Sequence, residues 1–155
     1  MKICSPILLT ALTLSFAMPA TAAPSVNDMQ QCQGIIDFVE YKLDNAPEKY
    51  PQADIKAVRV GLEGYDNFIQ QEIVSPGLLK FNGGDATKAE AMQQQVDAYK
   101  LTIVNNFKKR YKDTRFYTDF AVAINECGKK SVPSGQALED LKVALNTLVK
   151  LAKMN

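Results

Sequence analysis

Apolar positions recur along this chain at steps of three and four, the spacing that lays one stripe down one face of a helix. In the first such stretch Met29, Cys32, Ile36, Val39 and Leu43 share a face that Ile35 and Phe38 widen. Ser25 stands where its side chain can accept a backbone N–H of the first turn, Asp28 adds negative charge there, and Pro47 closes the segment. The second stretch opens at Pro51, whose missing N–H costs nothing in a first turn, and carries Ile55, Val58, Leu62, Tyr65, Ile69 and Ile73. Gly61 and Gly64 each weaken it by about 1 kcal/mol relative to alanine, a cost that close approach of another helix would explain. Ser75-Pro76-Gly77 is expected to stop it.

The third and longest segment begins at Asp85 or Thr87, with a stripe of Ala89, Met92, Val96, Tyr99, Ile103 and Phe107. Thr114 is placed to cap a fourth carrying Phe116, Phe120, Ile124 and Cys127, with Gly128 as its stop. Pro133-Ser134 starts a fifth, where Leu138, Leu141, Leu145, Leu148 and Ala152 repeat. No stretch alternates with a period of two over a strand length. The pattern predicts an all-α fold, an up-and-down antiparallel helical bundle of four to five helices with mostly short connections. Alternating directions bring Cys32, near the start of the first helix, to the same end as Cys127, at the end of the fourth. The connection from Val74 to Asp85 falls at that end too.

Ahead of the first stripe, Lys2, the apolar run Ile7 to Met18 and the small residues Pro19-Ala20-Thr21-Ala22 have the layout of an export signal cut after Ala22. The run falls short of the roughly 20 residues a bilayer span needs. Residues 1–22 are therefore expected to be a cleaved signal peptide and residues 23–155 one helical domain, exported to the bacterial periplasm or, as second choice, secreted. An oxidising compartment would pair Cys32 with Cys127, clamping the bundle with one disulfide whose loop closure contributes at most about 4–5 kcal/mol. Loss of Lys2 would also balance 18 basic against 17 acidic side chains, which predicts no general attraction to nucleic acid or anionic lipid. No later segment is long and apolar enough to span a membrane.

The chain has no histidine. That removes the usual general base, the commonest metal ligand and the usual haem ligand, and no phosphate-binding glycine motif is present, so neither a catalytic set, a metal nor a cofactor is expected. Asp37, Glu40 and Asp44, and likewise Glu63 and Asp66, share helix faces that read first as solvated outer surface, then as a weak cation site or a contact for a basic partner. Acid–base chemistry would need a cleft that raises one carboxyl pKa. Lys108, Lys109, Arg110, Lys112 and Arg115 interleave with aromatics at the end of the third segment, where positive charge suits the helix dipole and could also meet an acidic partner. Leu78, Leu79 and Phe81 make the Val74–Asp85 connection apolar, either a lid over the bundle end or a partner contact. Tyr65, Met92, Tyr99 and Phe107 are candidates for an apolar ligand cavity between helices.

With Cys32 and Cys127 joining an early and a late helix of an exported helical protein, the general plan resembles the small periplasmic acid-stress chaperones. It is similar also to the helical periplasmic immunity proteins that neutralise cell-wall-degrading toxins. The absence of a catalytic constellation, together with the apolar connection and the basic-aromatic run, predicts a non-enzymatic protein acting through protein–protein contact, such as an immunity or inhibitor protein or a stress chaperone, with another periplasmic or extracellular protein as partner. A carrier of a small apolar ligand is the alternative, and a carboxylate-based hydrolase stands third.

Overall fold

A computed structural model describes residues 24–113 and 116–154; the expected signal peptide, the Thr114 cap and Arg115 lie outside them. The regular structure there is all helical: α1 (Val26–Asp44), α2 (Gln52–Ile69), a π-helical turn (Gln70–Val74), α3 (Ser75–Phe81), α4 (Ala86–Arg110), α5 (Tyr117–Lys130) and α6 (Gly135–Ala152). Because α2, the π turn and α3 run on without a break, these make five rods among the described residues. Cys32 and Cys127 are joined by a disulfide, with Cα atoms 6.0 Å apart. The Ser25 hydroxyl accepts from the Asp28 N–H at 3.1 Å and so caps α1 as expected, while the Asp85 carboxylate accepts from the Lys88 N–H at 3.1 Å, so that Asp85 rather than Thr87 caps α4.

Two expected helix stops are overridden. Ser75-Pro76-Gly77 does not end the second rod. In a regular α-helix the Pro76 ring would press on the carbonyl four residues back. Here the chain widens by one residue, the Ser75 N–H reaching the Gln70 carbonyl, and the Gln70 side chain donates to Ser75 Oγ at 2.9 Å. The Val74–Asp85 segment is therefore mostly helix, and only Asn82 to Asp85 turn the chain, with Gly83 and Gly84 both at positive φ. Gly128 likewise lies inside α5, which runs on to Lys130. The third and fourth rods are distinct helices, α4 and α5.

The core is built from the expected stripes. Phe38 sits at its centre with ring centroids of Phe107, Phe116, Phe120 and Tyr111 at 5.4, 5.7, 5.1 and 6.2 Å. Helix α1 packs on α4, α5 and α2, while α6 lies along α2 and α5. Gly61 explains the α2–α6 approach: a Cβ there would stand 2.2 Å from the Asp140 carbonyl oxygen and 2.6 Å from the Ala144 Cβ. At Gly64 a Cβ would meet nothing within 4 Å, so the same explanation fails there. Helix α4 is the least enclosed rod, with Val96 and Val104 its buried residues.

Candidate functional site

Antiparallel pairing of α1 and α2 brings together polar faces that are separate in sequence. Steps of three and four align Gln33, Asp37, Glu40 and Asp44 on α1, and Arg59, Glu63, Asp66 and Gln70 along α2. The Arg59 guanidinium bridges Glu40 at 3.0 Å and Asp44 at 2.7 Å, and about three helical turns away Gln33 Nε2 donates to Gln70 Oε1 at 3.2 Å. Between these ties opens a cleft of about 260 Å³ lined by Ile36, Asp37, Glu40, Arg59, Glu63 and Asp66. The carboxylates expected on a solvated outer face thus line a shared seam.

Enclosure changes their acidity. Burial, reinforced by the Asp37 charge, pushes the Asp66 carboxyl up to about 6 against the pull of Lys100 and Gln33. Burial also raises Asp37 and Glu40, opposed by Lys100 and Arg59 respectively. Three acceptor atoms here are buried without a donor: Gln33 Oε1, Glu40 Oε1 and Asp66 Oδ1. Gln33 itself is wholly buried. The Tyr117 hydroxyl is also buried without a partner, and charges on Arg59 and Glu40 act on it.

From the inner end of the cleft a polar seam continues to α4. Gln70 Nε2 donates to Gln93 Oε1 at 2.9 Å, Gln93 Nε2 to Asp97 Oδ1 at 3.0 Å, and Lys100 meets Asp97 at 3.3 Å. The Lys100 side chain is only 15% exposed. Its neighbour Tyr99, expected on the inward stripe, is 42% exposed. Such an arrangement can seat a donor-rich cation, an ammonium or guanidinium. Among the described residues no group of three or more histidine, cysteine, aspartate or glutamate side chains is placed to hold a metal ion.

The residues singled out by sequence are dispersed. Leu78 is buried, whereas Leu79 is 41% and Phe81 77% exposed, so the apolar segment is only partly a lid. Lys109, Arg110 and Lys112 are exposed and Lys108 is half-buried, its ammonium 3.6 Å from the Tyr41 ring centre. These bases lie at the far end of α4 from Phe81, roughly 35 Å away at the rise of a helix, so the two groups do not form one compact surface. The four cavity candidates are spread likewise. Tyr65 is buried with its hydroxyl on the Ser131 carbonyl at 3.2 Å, and Met92 lies beside Asn82. Tyr99 and Phe107 line a shallow groove with Gln31, Ile35, Ile103 and Asn106 on the α1–α4 seam. The expected ligand cavity is thus not assembled from these four, because α4 turns Tyr99 outward and Tyr65 faces the disulfide end.

Fold and site define the class of protein: a disulfide-clamped all-α bundle with an acidic cleft between its first two helices and no described helix long and apolar enough to cross a membrane. Compared with protein families, curated proteins and solved structures, the chain matches none of them.

Proposed function

We propose that this is an exported, periplasmic, non-enzymatic interaction protein that receives a cationic side chain of a partner protein in the α1–α2 cleft. The observation that carries the reading is the meeting of Asp37, Glu40, Glu63 and Asp66 from two helices over buried acceptor atoms that have no donor. A lysine or arginine supplies both charge and several N–H donors to such a seat. The disulfide is compatible with export to an oxidising compartment. Within this class the cleft supports an immunity or inhibitor protein over a chaperone switched on by acid. Acid that loads protons onto raised carboxyls relieves repulsion in the seam and strengthens the bundle at first.

Affinity capture from periplasmic and extracellular fractions tests this, using the disulfide-intact wild type beside Glu63→Lys and, as a control on an exposed helix face, Glu139→Lys. One basic partner held by wild type and the control but lost by Glu63→Lys is the expected result. Equal recovery by all three would contradict it.

A second reading is favoured by one observation, the raised Asp66 carboxyl beside other acids, which is the electrostatic condition for a general acid. It stands second because it rests on one carboxyl, whereas the cation seat rests on four acidic residues meeting from two helices. Glycan turnover by the wild type that vanishes in Asp66→Asn would reverse the order.

A further inference from the structure

The α1–α2 seam already holds one cation, and its geometry shows what a second would meet. Arg59 reaches across from α2 with one terminal nitrogen on Glu40 Oε2 at 3.0 Å and the other on Asp44 Oδ1 at 2.7 Å, carboxylates one turn apart on α1. This clamp uses only half of Glu40. The other oxygen, Oε1, is buried and accepts from nothing. The Tyr117 hydroxyl from α5, buried and equally unpartnered, feels the charges of Glu40 and Arg59 but makes no hydrogen bond to either.

One turn back along α1, Asp37 stands to Glu40 as Asp44 does on the other side. A base four residues beyond Arg59 on α2 would complete this second rung, but Glu63 occupies that position. The cleft is therefore lined by four acids, Asp37, Glu40, Glu63 and Asp66, against the one base Arg59. Lys100 from α4 attracts Asp37 and Asp66, yet its ammonium is held by Asp97 at 3.3 Å. At the inner wall Gln33, wholly buried beside Asp66, keeps its Oε1 without a donor. Acceptors outnumber donors along the whole second rung.

These acceptors suit a guanidinium better than an ammonium. Bridging Glu40 Oε1 and Asp37 takes donors on separate atoms of one plane, which is how Arg59 spans Glu40 and Asp44. A lysine would have to draw both carboxylates onto a single nitrogen. The incoming group must also shed water to reach a buried oxygen, and guanidinium is the more weakly hydrated cation.

We infer, resting on the cleft as a cation seat, that its ligand is an arginine of the partner, clamped between Glu40 and Asp37 as Arg59 is clamped between Glu40 and Asp44. Glu40 is then a shared rung, with one oxygen on the protein's own guanidinium and the other on the partner's.

The test is an NMR titration of the disulfide-intact protein at pH 7.5 that follows its side-chain carboxyl carbons. Two capped pentapeptides are compared, one carrying a single arginine among alanines and the other a single lysine. The arginine peptide is expected to bind about tenfold more tightly and to move the Glu40 and Asp37 carbons together. Equal affinities, with the cleft carboxyls moving in both titrations, would overturn the arginine assignment and leave the cation seat standing. No movement of Asp37, Glu40, Glu63 or Asp66 with either peptide would overturn both. Arginine binding that moves Glu63 and Asp66 but leaves Glu40 still would overturn the shared rung. Asp37→Ala, with its backbone spectrum checked for an unchanged fold, should bring the two peptides to within about twofold of one another; a tenfold preference kept in that variant would contradict the clamp.

Discussion

Helix α2 has two seams, and they are built on opposite principles. Against α6 it is dry: Gly61 lets backbone meet backbone, and Ile55, Val58, Leu62, Tyr65 and Ile69 from α2 are buried in the same core as Leu141, Ala144, Leu148 and Leu151 from α6. Against α1 it is polar, with Arg59, Glu63, Asp66 and Gln70 facing Asp44, Glu40, Asp37 and Gln33. Dry packing of this kind is dense, and the charges across it are confined to one end, where Lys150 of α6 meets Asp54 of α2 at 2.6 Å. The polar seam leaves acceptors without donors, among carboxyls whose pKa values burial raises. One seam holds the helix in place and the other carries the cleft.

The largest effect should come from breaking the dry seam. Gly61→Val forces branched carbon into the Asp140 carbonyl and should cost about 3 kcal/mol or more, read as a lower denaturation midpoint. The polar seam should respond in the opposite direction. Asp66→Asn removes a buried charge, and at pH 7.5 it should stabilise the protein by roughly 1–2 kcal/mol. The shift from 3.8 to about 6 sets a ceiling of about 3 kcal/mol, reduced because the group is partly wetted. Its stability should also become nearly flat between pH 7.5 and pH 5.

Gly64→Ala gives a smaller contrast with its neighbour. With open space around it, it should gain about 0.5–1 kcal/mol by helix propensity, as chemical denaturation would show. Smallest is Phe81→Ser, which removes an exposed ring at the α3 tip and should leave stability within about 0.5 kcal/mol in the same measurement.

The two seams also differ in how legible they were. Apolar residues at helical spacing announce a buried face because water penalises exposing them, so the stripes, the cap at Ser25 and the pairing of Cys32 with Cys127 could all be read from the chain. Polar residues at the same spacing carry no such sign. Asp37 and Glu40 look alike whether they face water or a second helix, and only the antiparallel register sets them opposite Asp66 and Arg59. Tyr99 misled for the complementary reason: the stripe counted it as apolar, but α4 turns the Tyr99 ring largely outward while Lys100, beside it, is the enclosed side chain. Ser75-Pro76-Gly77 misled because a π turn can absorb a proline that an α-helix cannot.

The absence of histidine gives the central claim a clear window, since no side chain of ordinary pKa titrates between pH 5 and pH 8. An acid whose folded pKa lies above its unfolded value binds its proton first in the folded state. Stability should therefore rise as pH falls through about 6, and the gain should level off near pH 4, where the unfolded chain is protonated too. The direct measurement is the melting temperature of the disulfide-intact wild type from pH 7.5 to pH 5. A rise of about 2–5 °C is predicted; a flat or falling profile would contradict the buried acidic seam on which the account stands.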